Sequence, residues 1–513
     1  MVHEHLETFL ARARERDRPV PRFVERELRA YLGCGILAHG FLRVRCEACG
    51  LDRVVAFSCK GRGFCPSCGG RRMADTAAHL VDRVLPEVAV RQWVLSLPFA
   101  LRYRLAYDSR LAGEVLGLFV RGVFASLRRR ARHRWGVRRR QCGAVTFVQR
   151  FGDALNLNVH FHSLVLDGVY ETGPAGSVRF RPLPPPEDAE IERVAARIAR
   201  DLRQLLQRRG LGPEADPSEA DPLGEDEPLL AALYGASVFG RIATGPRAGR
   251  PVLRLGDRID ADDLPALQGP RCASVAGVSL HANVAVPARD RARLERLCRY
   301  VARPPVATER LSRLPDGRLL YRLKHRWRDG TTHVLFEPGE LVERLAALVP
   351  PPRFHLVRYH GILGPCASER DRVVPALPAD RDRTPVHPVP AGPGAASSAN
   401  GSPAAPRGSP RGGPGADGRE APSEPTPPAR DPSRARRLSW AELMRRVFAI
   451  DVLECPRCGG PMRILAAIHP PDVTRAILEC LELPSRAPPP LAPRPDSDED
   501  GSLASDLAGT AGG

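Results

Sequence analysis

Lysine is almost missing from this chain. Of its 77 basic residues only Lys60 and Lys324 are lysines, and the other 75 are arginines. Aromatic residues make up only 5% of the 513 positions. The hydrophobic share of 43% is nevertheless enough to build a core, so a chain disordered throughout is excluded. No stretch reaches the roughly 18 consecutive apolar residues of a membrane-spanning helix. The opening segment MVHEHLETFLARARERD lacks the apolar centre of a secretory leader. Together these absences lead to the expectation of a cytoplasmic protein.

What is present is positive charge and paired cysteine. The formal net charge is +18. Arginine, alanine, glycine and proline share GC-rich codons, so base composition accounts for arginine over lysine but not for the surplus over acid. That surplus favours a polyanionic partner, nucleic acid first and an anionic membrane second. The 13 cysteines are odd in number and several stand as Cys-x-x-Cys. Without an export signal, that spacing points to metal binding in a reducing compartment.

The length suggests several domains, and composition divides the chain. Residues 1–90 are expected to be a helical and zinc-binding, DNA-docking module, and residues 91–366 a mixed domain. The periodicity predicts a helix over 73–85 and strands over 92–97, 144–149 and 157–166. Further helices are expected over 187–209 and 290–303, with a Pro- and acid-rich loop over 212–228 between them. A hairpin is expected from Leu319–Leu323 and Thr332–Phe336. Residues 367–437, rich in Pro, Gly and Ser, read as a disordered linker. Residues 438–483 read as a short helix followed by a Cys-Pro-Arg-Cys knuckle, with Ser439 and Glu442 as its capping box. Residues 484–513 read as a disordered acidic tail.

Cys46-Glu-Ala-Cys49 and Cys65-Pro-Ser-Cys68 are two knuckles separated by 15 residues. Four thiolates at this spacing fit one tetrahedral, fully protein-ligated Zn²⁺. Cys59 lies between the knuckles and could replace one of the four. Around them stand Arg43, Arg45, Arg53, Lys60, Arg62, Arg71 and Arg72, a basic surface suited to a DNA backbone or simply to water. Cys455 and Cys458 make a lone knuckle that would need further ligands, with His469 or Cys480 as candidates.

On a strand over 157–166, alternation places Asn158, His160 and His162 on one face. Two imidazoles two residues apart can lean onto one metal ion, or can be two polar residues on an exposed sheet face. On the helix over 290–303, Arg296 and Arg303 share a face with Tyr300. Such neighbours suit a phosphate oxygen beside a tyrosine nucleophile, or a half-buried tyrosine with solvated arginines. His281 reads as a structural histidine. Lys324 is a candidate phosphate contact.

The blocks CKGRGFCPSC, RQWVLSLPFALRYRLAYD, FVQRFGDALNLNVHFHSLVLDGVY, LERLCRYVARPP, DGTTHVLFEP and CPRCGGPMRIL occur in this order. Through them the chain resembles the rolling-circle insertion-sequence transposases of the IS91 group, in the HUH class of single-strand nucleases. The likeness runs over residues 5–365 and 438–468. It implies an α+β fold, an HUH-like antiparallel sheet with helices, the two histidines lying on a middle strand. It implies that His160 and His162 bind Mg²⁺ or Mn²⁺, with Gln149 as third ligand and Asp153 as rival. It implies that Tyr300 attacks DNA to leave a 5′-phosphotyrosine and a free 3′-OH, with no need of ATP. Arg296, Arg299, Arg303 and Lys324 are then expected at DNA phosphates, and Zn²⁺ at Cys46, Cys49, Cys65 and Cys68.

The expected partners are single-stranded and hairpin DNA at the element's ends, and target DNA, at the bacterial nucleoid. The membrane reading falls away. Well-known members of the group have a second tyrosine four residues earlier, where this chain has Arg296, so it resembles a single-tyrosine variant. Tyr321 and Tyr359 lie outside the matching position. Two other readings stay open: a zinc-module DNA-binding regulator whose nuclease site is inactive, and a basic scaffold protein.

Overall fold

The computed structural model describes residues 1–136, 140–173, 177–212, 221–256, 269–375, 440–448, 451–469, 472–489 and 491–492. Two amphipathic helices open the chain, α1 (Val2–Glu15) and α2 (Arg22–Leu32), burying Leu6, Leu10, Val24 and Leu28 on their apolar stripes. The pair β1 (Phe41–Cys46) and β2 (Asp52–Ala56) precedes α3 (Pro66–Arg83), which starts on a proline, a residue suited to the first helical turn. After β3 (Val90–Ser96) come α4 (Phe99–Tyr107) and the long α5 (Ser109–Trp135). The Asp108 carboxylate caps α5 by accepting from Leu111 N at 2.8 Å, and Gly136 ends it in the left-handed region.

Four strands follow, β4 (Arg140–Gln141), β5 (Gly143–Phe151), β6 (Leu157–Leu166) and β7 (Gly168–Thr172), then β8 (Val178–Pro182). Helices α6 (Asp188–Arg208), α7 (Pro222–Asp226) and α8 (Pro228–Val238) lead to β9 (Leu253–Gly256). The next elements are β10 (Cys272–Val275), β11 (Val278–His281), β12 (Ala285–Val286) and α9 (Arg291–Val301). They are followed by β13 (Leu311–Arg313), β14 (Leu319–Arg322), β15 (Thr331–Phe336), α10 (Pro338–Leu348) and β16 (Val357–Gly361). Beyond residues 376–439 lie α11 (Trp440–Phe448), β17 (Met462–Ile468) and α12 (Asp472–Cys480).

The main sheet runs β10-β11-β3-β6-β5-β16, with β12 also pairing β3, and its pairings are antiparallel. One face packs Trp93, Leu95, Val148, Val159 and Phe161 into the larger core, where Phe119 of α5 stacks on Phe161 at 6.4 Å. The other face packs Val145, Phe147, Leu164 and Leu166 against Leu80 and Val81 of α3 and Leu294, Leu297 and Val301 of α9. This second layer holds fewer helices, and the polar end of β6 lies at the C-terminal end of α9.

The α+β architecture expected from the sequence is the one observed, and β6 spans the predicted 157–166. β14 and β15 pair as the expected hairpin. Several expectations need correction. Residue 90 is no break in packing, because α1 and α2 contribute to the same core as the sheet. Residues 222–226 form a short helix where a loop was expected, and 213–220 lie outside the described residues. Helices α4 and α5 were not foreseen. So many residues of α5 are buried, between the sheet and α6, that a single apolar stripe does not stand out.

The expected linker over 367–437 begins too early, since Val373 is buried beside Ile362 and Leu363. Its remainder, 376–437, lies outside the described residues, as do Ser439 and residues 493–513 of the tail. The segment expected over 438–483 does not stand apart. β17 pairs with β1, giving a three-stranded sheet in the order β17-β1-β2. Among the described residues no helix is long and apolar enough to cross a membrane.

Candidate functional site

β6 is flanked by β3 and β5, and the register sets His160 opposite Gln149, and His162 between Val94 and Phe147. The two imidazoles lie side by side, ring centroids 4.9 Å apart. Both are buried. His160 Nδ1 lies 2.9 Å from Asn158 O, a carbonyl that can only accept, so Nδ1 carries the proton and Nε2 keeps its lone pair. His162 Nδ1 faces the Gln92 side-chain amide at 2.6 Å, and its Nε2 is buried without a partner. Burial first, then the charges of Arg303 and Arg102, lowers His160 to about 4 against the opposing bond to Asn158. Burial, followed by His160, Arg303 and His281, pushes His162 well below its ordinary value.

Gln149 connects this strand layer to α9. Its Nε2 donates to Val301 O at 2.7 Å, satisfying one of the carbonyls that a helix end leaves open. Its Oε1 is buried with no partner, as is Asn158 Oδ1. Buried polar atoms without partners are uncommon and call for an explanation. Here His162 Nε2 and Gln149 Oε1 add to the free His160 Nε2, a nitrogen and oxygen donor set of the kind that binds a divalent cation. Asp153 is differently engaged: its carboxylate accepts from Arg310 at 2.9 Å and from the Lys324 backbone N–H at 2.8 Å.

Tyr300 is exposed at the end of α9, and its ring meets that of His162 edge-on at 6.3 Å. Two cations flank it, Arg303 at 4.4 Å and Lys324 at 4.5 Å from the ring centroid. A cleft of about 160 Å³ opens beside them, lined by Asp153, Asn158, His160, Arg303, Arg310 and Lys324 among others. Of the expected phosphate contacts, the structure therefore brings Arg303 and Lys324 to Tyr300. Arg296 is exposed on α9. Arg299 is bound to Glu295 at 2.5 Å, which ties its guanidinium to its own helix. Gln92 and Arg310 were missed by sequence reasoning: Gln92 stands in the block RQWVLSLPFALRYRLAYD without being singled out there, and Arg310 lies outside the matching blocks. Tyr321 is fully buried under Arg310 and Tyr359 lies on β16, so neither replaces a second tyrosine on α9.

The cysteines are grouped differently from the expectation. Cys46 and Cys49 do not share a site with Cys65 and Cys68. One cluster is Cys34, Cys59, Cys65 and Cys68, and the other is Cys46, Cys49, Cys455 and Cys458. The reason is spatial: Cys65 and Cys68 lie at the start of α3, facing the chain just after α2, whereas the β1 knuckle lies beside β17. In the first cluster the sulfurs are 3.4–3.8 Å apart, and in the second 3.5 and 3.6 Å. A Zn–S bond of about 2.3 Å gives a tetrahedral edge of about 3.8 Å, so both clusters have the size of a four-thiolate zinc shell. Cys59 does join the 65/68 knuckle, while Cys34 had no spacing signal. His469 packs on Phe57 and Cys480 is exposed, so neither completes the 455/458 knuckle.

Two family models match the chain. One, described as "Transposase zinc-binding domain", covers residues 1–97, and the other, described as "Putative transposase", covers residues 143–371. No curated protein and no solved structure gives a significant match. The α+β domain and the zinc-binding module are thus those of a DNA-processing enzyme, a transposase. The chain belongs to the IS91 family of transposases. Its N-terminal module is a zinc-binding domain with a structural Zn²⁺.

Proposed function

We propose that the chain nicks and rejoins single-stranded DNA at the ends of a mobile element, through a covalent bond to Tyr300, in rolling-circle-type transposition. The observation that supports this most is the meeting of Tyr300 with the partner-free donors His162 Nε2 and Gln149 Oε1, under Arg303 and Lys324. His160, His162 and Gln149 would hold Mg²⁺ or Mn²⁺, which when bound polarises the scissile phosphate. Gln92 Nε2 lies 2.6 Å from His162 Nδ1, and turning this amide over, so that its carbonyl accepts from Nδ1–H, would leave the His162 Nε2 lone pair for the ion. Cys34, Cys59, Cys65 and Cys68 would hold the structural zinc of the N-terminal module.

Tyr300 Oη attacks phosphorus. Its O–P bond forms as the P–O3′ bond breaks, the phenolic proton is lost to solvent, and the departing oxygen takes up a proton to become the 3′-OH. Arg303 and Lys324 hold the non-bridging oxygens as charge builds on them. Attack by a 3′-OH on the phosphotyrosine reverses the bond exchange and joins a new strand, so the energy of the phosphodiester is kept. The work is done on DNA in the bacterial cytoplasm, at the nucleoid.

The test is the purified full chain with Mn²⁺ and single-stranded oligonucleotides of the element's ends. A covalent adduct is expected, and none with Tyr300→Phe. An adduct that survives this substitution moves the nucleophile elsewhere. No cleavage of either terminal strand by the native chain favours an inactive, DNA-binding regulator.

A further inference from the structure

The zinc-binding family match ends at residue 97 and the transposase match at residue 371, so neither reaches Cys455 or Cys458. Yet these two cysteines stand against Cys46 and Cys49, more than four hundred positions away. The two knuckles are alike in detail. Cys46 N bonds Leu51 O and Gly50 N bonds Cys46 O, while Cys455 N bonds Gly460 O and Gly459 N bonds Cys455 O. Gly50 and Gly459 each have φ of 71°, a left-handed turn that the residue after each Cys-x-x-Cys must make. Two such hairpins facing each other, with four sulfurs within 4.8 Å, form a closed tetrahedral shell.

The same C-terminal segment grips the helix of Tyr300. Leu443 of α11 is buried between Ala74 and Ala78 of α3. Arg446 binds Asp82 of α3, its Nη2 lying 3.0 Å from Oδ1, and also Glu295 of α9, 2.8 Å from Oε2. Glu295 lies one turn before Arg299 on α9, whose last turn carries Tyr300. Otherwise the segment has little to hold it. Ile464, Leu465, Val473 and Leu453 are exposed, and most of β17 faces outward. A segment with so small a core needs a further tie, and a metal closing a loop of this length is an efficient one.

We propose that Cys46, Cys49, Cys455 and Cys458 hold a second Zn²⁺, and that this ion is a clasp that closes residues 440–480 over α3 and α9. The zinc-binding module is then discontinuous, half from each end of the chain, and its closure steadies the helix that presents Tyr300. The clasp does not depend on Tyr300 being the nucleophile, so its test is independent of DNA cleavage.

The test is metal content and hydrogen exchange of the purified full chain. Two zinc ions per chain are expected, falling to one in Cys455→Ser/Cys458→Ser. In that variant exchange should rise at least tenfold in residues 291–301 and 440–480, with β3, β5 and β6 unchanged. Arg446→Ala, which leaves every cysteine in place, should keep two zinc ions and raise exchange over 291–301 and 440–448. Retention of two zinc ions by the double cysteine variant overturns the site. Loss of one ion with unaltered exchange over 291–301 in both variants overturns the clasp.

Discussion

The eight clustered cysteines and the two strand histidines gather metal-binding groups in opposite ways. Each cysteine cluster is a closed shell: four sulfurs from the protein, 3.4–3.8 Å apart where they are in contact, leave no position for a substrate. The histidines form an open set, two nitrogens and at most one amide oxygen, beside a cleft lined by Arg303, Arg310 and Lys324. Closed shells hold structure together, and open ones leave room for chemistry. The cost of assembly differs too. The cysteine shells are complete once the ion is in, whereas His162 Nε2 and Gln149 Oε1 are buried with no partner among the described residues.

The largest effect should come from the inner cysteine cluster. Cys65→Ser opens a shell next to Phe64, which is buried in the main core against Tyr31. Structural zinc contributes roughly 10–16 kcal/mol in small domains, comparable to the whole of the usual 5–15 kcal/mol of total stability. Loss of cooperative thermal unfolding is expected. If Cys65→Ser melts like the native chain, the closed shell is not a structural one.

The open set should behave in the reverse manner. His162→Leu removes the partner-free Nε2 but also strands the buried Gln92 amide that faces Nδ1, so thermal stability should fall by only about 1–3 kcal/mol, with cooperative unfolding kept. Strand cleavage should fall by about 10²–10³-fold or more. A variant that unfolds while its residual folded fraction still cleaves at the native rate would falsify the division drawn between the two kinds of site.

Acid supplies a third, smaller test. The folded chain holds His160 neutral down to about pH 4, while the unfolded chain protonates it near its ordinary value of about 6.5. The unfolded state therefore binds more protons in between, and stability should drop as pH falls from about 6.5 to 4, by about 3 kcal/mol. Denaturant midpoints without added Mg²⁺ or Mn²⁺ measure it, and His160→Asn should flatten the slope. An unchanged slope in that variant means that other groups dominate the acid response.

The smallest effect is expected at the outer edge of the cysteine region. Arg446→Ala breaks charged hydrogen bonds to Asp82 and Glu295 and should weaken docking of α11 by about 2 kcal/mol. Limited proteolysis of residues 440–480 reads this directly, and the core of the main sheet should melt as before. Equal loss of both would make the C-terminal segment part of one cooperative core with the inner cluster.

Much of the histidine site was legible because strand alternation is strict. Once 157–166 is a strand, His160, His162 and Asn158 must share a face. Gln149 was legible only as a residue on the preceding strand, and its direct pairing with His160 needed the register, which shifts at the end of β5. Gln92 and Arg310 were not legible, because a neighbour across a sheet or at a cleft rim leaves no local pattern. Arg299, expected at a DNA phosphate through the resemblance, is held by Glu295, a partner that the resemblance did not indicate.

For the cysteines, local sequence determined the knuckle and tertiary structure decided the partners. Cys-x-x-Cys-Gly appears at 46–50, 65–69 and 455–459, and in each a backbone bond runs from the glycine N–H to the first cysteine's carbonyl. A knuckle supplies two of four ligands and says nothing of where the others come from. Three knuckles cannot fill two shells, and the two missing sulfurs came from Cys34 and Cys59, brought together only where the chain after α2 and the chain after β2 meet the start of α3. By itself the sequence determined the transposase family, through blocks that include a histidine pair on a strand, a tyrosine on a helix and paired thiols. Only the fold decided which thiols meet and which cations reach Tyr300, because those contacts depend on how distant segments pack and not on spacing along the chain.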